Sequence, residues 1–335
     1  MLKTGKIPSD LLKSLLEKYK PKEDPRLVVG PKIGEDAAVI DFGDKYLVFK
    51  TDPITAATDA IGWYVVNINA NDIATRGAKP KWFQATILLP ENKTDENLVK
   101  EIFSQISHAC RELDIALVGG HTEVTYNLDR PIVVGSMLGE VEKEKLVTTS
   151  GAKVGDVIVL AKGIAAEATS LIAREKEEEL SKKYSRSFLE KCKGFLFDPG
   201  ISVVKEALLA NSVAKINSMH DPTEGGLATG LYEIAEASGK GLLIYKEKIP
   251  IFEECRILCE EYGLNPLGAL ASGALLITLP EKEAEKLLKV YAANGIKAEV
   301  IGKIMEKSYG MKIEENGKIE DLKYSERDEI LKIFE

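Results

Sequence analysis

The residues best equipped for chemistry are carboxylates set at the ends of apolar runs. Gly34-Glu35-Asp36-Ala37-Ala38-Val39 puts two acids at the start of an apolar stretch whose small neighbours leave room for a ligand beside the backbone. Thr51-Asp52 closes the run Tyr46 to Lys50, Asn71-Asp72 sits in a helical pattern of small residues, and Gly119-Gly120-His121-Thr122-Glu123 follows the run Ile115 to Val118. Carboxylates converging from several element ends suit Mg2+, a hard cation that takes oxygen ligands and bridges phosphate oxygens. Each string also has a plainer reading. Asp52, with Pro53 after it, would begin a turn. Asp72 facing solvent needs nothing, but buried beside Ala74 and Gly77 it would need a cation or a donor. Gly119-Gly120 would make a β-turn, with His121 an ordinary satisfied histidine.

A further string, His220-Asp221-Pro222-Thr223-Glu224-Gly225-Gly226-Leu227, divides the same way. Asp at N-cap, Pro at N1 and Glu at N3 resemble a capping box, in which Asp221 merely satisfies backbone amides. Two glycines directly after such a cap weaken the helix, which points instead to close approach of a ligand at a helix N-terminus.

Several nucleotide and hydrolase signatures are missing. Each Gly-Lys pair (Gly5-Lys6, Gly239-Lys240, Gly302-Lys303, Gly317-Lys318) is followed by Ile or Gly, so there is no P-loop, and no dinucleotide fingerprint, zincin helix or nucleophile elbow occurs. The formal net charge of −8 argues against a nucleic-acid surface, because phosphate backbones demand clustered Lys and Arg. Apolar residues make up 44% and charged residues 29%, as in globular proteins, and no run approaches the roughly 18 apolar residues of a membrane span. The start, Met1-Leu2-Lys3-Thr4-Gly5-Lys6, has no secretory pattern, so a cytoplasmic location is expected. Cys110, Cys192, Cys255 and Cys259 read as plain thiols; the last two share a helix face but lack further ligands for zinc.

Positioning these residues takes a mixed α/β chain. At 335 residues, two domains are expected, since domains usually run to roughly 100–200 residues. Periodicity predicts a first helix over 10–19, strands near 37–42, 46–50, 82–89, 115–118 and 131–141, and helices near 64–76 and 96–113. A polar stretch over 142–155, before the strand-like run 157–160, marks the boundary, giving domains of 1–148 and 149–335. Beyond it, strands are expected near 242–245, 274–279 and 298–301, with helices near 199–210, 226–237, 252–262 and 281–294.

Taken in order, Gly34-Glu35-Asp36-Ala37-Ala38-Val39, Thr51-Asp52, Asn71-Asp72-Ile73-Ala74 with Arg76-Gly77-Ala78-Lys79-Pro80, Gly119-Gly120-His121-Thr122 and Asp221-Pro222-Thr223-x-Gly225-Gly226 resemble the aminoimidazole ribonucleotide (AIR) synthetase superfamily. Ala271-Ser272-Gly273 and Gly302-Lys303-Ile304 resemble its later landmarks. The resemblance implies an α/β (α+β) two-domain AIR-synthase-like fold, with an N-terminal domain that forms a β-barrel across a homodimer and a C-terminal α/β domain. It implies ATP and Mg2+ as cofactors, ATP lying in the cleft between domains, and transfer of a phosphoryl group, usually the γ, to an oxygen or similar acceptor of a small molecule. By position, Asp36, Asp52, Asp72 and Asp221 would hold the metal, with Asp72 and Asp221 catalytic. Gly34, Asp36, Asp52, Gly119, Gly120 and His121 would bind the nucleotide. His121 stands where some members have Asp and matches the Gly-Gly-His of selenophosphate synthetase; Glu123 either substitutes or has no role. The motifs look most like the HypE type of hydrogenase maturation protein, whose C-terminal cysteine carries the group to be dehydrated. This sequence ends Asp328-Glu329-Ile330-Leu331-Lys332-Ile333-Phe334-Glu335 without one, so a HypE-like relative with another acceptor is expected. Thiamine-phosphate kinase and a non-catalytic nucleotide-binding maturation protein are the alternatives. Neither nucleic acid nor membrane is an expected partner.

Overall fold

The computed structural model describes residues 5–19, 22, 24–55, 57, 59–324 and 327–334. In chain order the longer helices are α1 (Ser9–Lys18), α2 (Ile61–Thr75), α3 (Glu96–Glu112), α4 (Ala166–Glu175), α5 (Glu177–Leu180), α6 (Arg186–Gly194), α7 (Val204–Val213), α8 (Gly226–Ser238), α9 (Glu253–Glu261) and α10 (Glu281–Ala293). The strands are β1 (Leu27–Val29), β2 (Ala38–Asp41), β3 (Lys45–Ile54), β4 (Lys79–Pro90), β5 (Ala116–Thr125), β6 (Ile132–Glu142), β7 (Val157–Ala161), β8 (Ser218–His220), β9 (Gly241–Tyr245), β10 (Leu275–Leu279), β11 (Ala298–Met305), β12 (Met311–Glu315) and β13 (Lys318–Asp321). They make two compact units, one of residues 36–146 with the described part of 23–30, the other of 147–335 with 31–35 and the described part of 1–22. The mixed α/β class expected from periodicity is borne out. The first helix belongs to the second of these units, where Lys13 Nζ lies 3.6 Å from Glu236 Oε1.

The first unit is one open sheet in the order β1-β2-β3-β6-β4-β5, with α2 and α3 on one face. Alternation decides which residues meet the helices. Val48, Met137, Phe83 and Ile87 point under α2 and are buried, while their neighbours Phe49, Leu138, Gln84 and Thr86 face the other way. Helix α2 is enclosed all round: all its residues except Trp63 are buried. Val65, Ile68 and Ile73 each contribute about 1.5–3 kcal/mol by leaving water. The buried amides of Asn67 and Asn69 donate to the carbonyls of Trp63 (2.9 Å) and Val65 (2.8 Å) one turn back, so they fit inside an enclosed helix. Helix α3 packs so close that a Cβ on Gly62 would fall 2.6 Å from the Ile102 carbonyl oxygen.

The second unit is a seven-stranded sheet, β13-β12-β9-β11-β7-β10-β8. Strand β7 is buried along its whole length, as a continuous apolar run in a two-sided layer should be. One core joins Ile158, Leu160, Leu276 and Ile304 to Leu227, Leu231 and Ile234 of α8. A second gathers α4, α6, α9 and the closing turn, through Ile172, Leu189, Leu258, Ile330 and Ile333. The four cysteines are buried free thiols, with Cys255 and Cys259 Sγ atoms 3.8 Å apart. At the junction of α4 with the strand β10 approach, Glu167 Oε2 is shut off from water. Burial pushes this carboxyl up to about 7; the Ser272 hydroxyl opposes that rise, and Asp328 and Glu224 add to it.

Two outcomes follow from these packing arguments. Gly62→Ala should cost about 1–3 kcal/mol of stability, read as a lower midpoint in denaturant, because the added methyl meets backbone of α3 that cannot move aside. Glu167 has a folded pKa above its unfolded value, so the native chain binds the extra proton, and this group's contribution to stability falls as pH rises from about 4.5 through 7. Glu167→Gln should therefore gain thermal stability relative to the parent at pH 8 and not at pH 4; an unchanged difference between the two pH values would contradict the assigned burial.

Candidate active site

In the first unit, the alternation of β3 sends both Lys50 and Asp52 to the face that α2 covers, where Asp52 lies opposite Gly135 in register. Gly135 has no room for a side chain: a Cβ there would fall 2.4 Å from the Asn69 amide nitrogen, and that amide donates to the Asp52 carbonyl at 3.3 Å. One turn further along α2, Asp72 is 6% exposed and its Oδ2 is 3.2 Å from Lys50 Nζ. The same ammonium is 3.5 Å from Asp52 Oδ2. Arg76 follows Asp72 by four residues and so shares its helix face. Its guanidinium is wholly buried and donates to Asp36 Oδ2 at 2.8 Å. An oxygen of Asp36 and one of Asp72 lie within 4.8 Å of each other. Three carboxylates and two cations thus meet beneath one helix, a concentration of charge that a structural core alone has no use for.

Gly119 and Gly120 lie within β5, not in a turn. A bulge at the level of Phe83 and Gln84 shifts the register here, and a Cβ on Gly120 would sit 2.2 Å from the Ala85 carbonyl oxygen. His121 pairs in register with Thr86 and therefore points to the sheet face opposite Asp52, exposed, with Nε2 3.1 Å from Glu123 Oε2. The fold brings Asp36 and Asp72 together, links Asp52 to Asp72 only through the Lys50 ammonium they share, and does not bring His121 to them.

In the second unit Gly34 has φ +81°, and a Cβ there would fall 2.7 Å from the Glu233 carbonyl oxygen, so what approaches its backbone is α8. Glu35 accepts from the amides of Ser150 (3.0 Å) and Thr149 (3.2 Å). Asp221, 3% exposed, follows directly on β8. The capping-box reading of Asp221 is corrected: α8 begins only at Gly226, with Gly225 as N-cap at φ 77°, and no side chain caps it. The glycine pair has a packing reason, since a Cβ on Gly226 would lie 2.6 Å from the Leu267 carbonyl oxygen.

Lys50 and Arg76 were not singled out from the sequence, although their spacing holds the signal. Lys50 is two residues from Asp52 on a strand and Arg76 four from Asp72 on a helix, the two periodicities that put side chains on a common face. Asp328 carries no local signal in the sequence.

Residues 34–141 match the model of the AIR synthase related protein N-terminal domain, and 153–313 that of its C-terminal domain. A protein of Methanocaldococcus jannaschii, named as a candidate hydrogenase expression/formation protein, is 30% identical over 92% of this chain and 91% of its own length. A thiamine-monophosphate kinase of Pyrococcus horikoshii is 30% identical over 87% of this chain and 88% of its own. Among solved structures, one of a HypE–HypF complex superimposes with a TM-score of 0.76 at 25% identity, covering 94% of this chain and 99% of that one. With both halves matched in order and the strings from Gly34 to Gly226 falling inside them, the chain belongs to the AIR synthase related protein family.

Proposed function

We propose that this chain is an ATP-using, Mg2+-dependent enzyme of HypE-like type that transfers the γ-phosphoryl group to an oxygen of a small-molecule, carbonyl or amide acceptor. The observation that carries the reading is the meeting of Asp36 and Asp72 beneath α2, with Asp52 joined to Asp72 through Lys50. Their donors are all carboxylate oxygens, and the Asp36 and Asp72 oxygens lie within 4.8 Å of one another, which fits a hard divalent cation. Asp36, Asp52 and Asp72 would hold Mg2+; Asp221, in the other unit, joins them on the strength of the sequence resemblance. When bound, the metal would neutralise charge on the transferring phosphoryl group. The chain's own groups supply position and compensation. Lys50 balances Asp72 and Asp52, and Arg76 fixes the carboxylate of Asp36, so the acids are oriented beforehand.

A small-molecule kinase acting on thiamine phosphate is the second reading, favoured by the Pyrococcus relative, whose identity equals that of the hydrogenase-associated one. A nucleotide-binding maturation protein without catalysis is the third, and the buried, oriented acids speak against it. A homodimer suits the first sheet. Strand β5 is exposed from Ala116 to Val124, with Leu117, Val118 and Val124 open to solvent, and it forms the sheet edge with only β4 beside it. A long apolar edge invites pairing with a second copy.

Asp72→Asn should lower Mg2+-dependent ADP release by about a hundredfold or more while leaving the circular dichroism spectrum unchanged, since it removes the charge and keeps the shape. Parental turnover in that variant would refute the metal role of Asp72. Incubation with ATP and thiamine monophosphate separates the readings: formation of the diphosphate supports the kinase, and ADP release only with a carbonyl or amide acceptor supports the HypE-like reaction.

A further inference from the structure

Asp328 lies in the closing stretch of the second unit, far in sequence from every motif considered so far. It is 7% exposed, and its carboxylate accepts from three backbone amides that belong to separate stretches of chain: Gly225 at 2.6 Å, Ile330 at 2.8 Å and Leu270 at 3.3 Å. The surroundings are poor for an anion. Burial pushes its pKa up to about 6, the three amides pull it back, and Glu224 opposes them; Glu167 faces it as well. A carboxylate kept there against burial and two like charges must do something that a neutral side chain would do less well.

What it holds is the turn from Asp221 to Gly226. The Thr223 carbonyl accepts from Gly226 at 3.1 Å and from Ala271 at 3.2 Å, which ties the middle of the turn to the stretch before β10. Gly225, at the end of the turn, is left-handed and begins α8 without a side-chain cap of its own, so its amide would be orphaned. Asp328 Oδ2 takes that amide, and Oδ1 takes Leu270 and Ile330. One carboxylate thus joins the closing turn, the stretch before β10 and the end of the Asp221 turn. A charged acceptor gives shorter and stronger bonds than a neutral one, which suits a joint that must not drift.

We propose that Asp328 is a positioning residue, which through the Gly225 amide fixes the turn that carries Asp221 and so sets how well Asp221 serves a metal. The inference rests on the metal reading of Asp221 given above. Such a supporting contact matters because ligands misplaced by a fraction of an ångström lose much of their effect.

The test uses the full chain with Asp328→Asn, which keeps the shape and turns an N–H donor toward one of the three amides, and Asp328→Ala as a second variant. Amide exchange of the peptide over 221–227 is measured without metal, and ATP turnover is measured against Mg2+ concentration. Exchange in that peptide should rise about tenfold while β7 and β10 stay protected, as expected for loss of a bond to a charged group. The Mg2+ concentration for half-maximal turnover should rise by about the same factor, with turnover at saturating Mg2+ near the parental value. Unchanged exchange over 221–227 would overturn the proposal, as would faster exchange with an unaltered Mg2+ dependence, the mark of a purely structural role. Absence of Mg2+-dependent turnover in the parent chain would instead sink the functional reading, and exchange alone would then decide whether Asp328 holds the turn.

Discussion

The constraint on which the first unit depends is the burial of charge under α2. Asp72 sits on, and Arg76 caps the end of, a helix that is otherwise uncharged and enclosed, and neither is tolerable there alone. Lys50 and Asp36 make them tolerable, by ion pairs of 3.2 and 2.8 Å. Such pairs seldom stabilise a fold relative to apolar residues of the same size, because desolvation of the charges offsets most of their attraction. Retaining them costs stability that Leu or Met would have supplied. The arrangement is therefore best understood from what the acids do, and the sheet and helices as the frame that holds them in place.

That frame is built from close approach. Gly62 lets α3 come up to α2, and Gly135 leaves space for Asn69, which in turn steadies the Asp52 backbone. On the second unit, Gly34 lies against Glu233 and Gly226 against Leu267. Gly34 and Gly226 stand in the strings that resemble the family, and at all four glycines the atom that fills the space is protein backbone or side chain. Their immediate physical task is to set the distance between elements. Any contact with a nucleotide is a further demand on positions already constrained by packing.

Much of this was legible in the sequence where the residues obey one periodicity over a long stretch. The stripe of Leu98, Ile102 and Ile106 gave α3, and the alternating runs gave β4 and β6 within a few residues of their ends. Asp36 and Asp52 were legible too, because each stands at the end of an apolar run, and Asp72 because it is an acid inside a helical pattern of small residues. What could not be read was set by partners distant in the chain. The Gly119-Gly120 pair looked like a turn because glycine pairs usually are one, and only the pairing of β5 with β4 shows that the strand continues through it with a bulge. His121 took its interest from its neighbours in sequence, yet a single residue of register puts it on the face away from Asp52. The helix expected from Pro199 begins at Val204, after a distorted turn over Leu196–Gly200 that periodicity has no means to describe.

The start of α8 shows why local rules and tertiary contacts diverge at such a place. Asp221, Pro222 and Glu224 have the spacing of a cap, and in an isolated peptide that grouping would favour a helix from residue 222. In the folded chain the helix starts four residues later, because Thr223 bonds to Ala271, Gly226 is pressed against the Leu267 and Ala269 carbonyls, and both glycines take the left-handed conformation that this path requires. The preference for a cap is thereby overruled by several bonds from distant segments, and Asp221 does not cap α8.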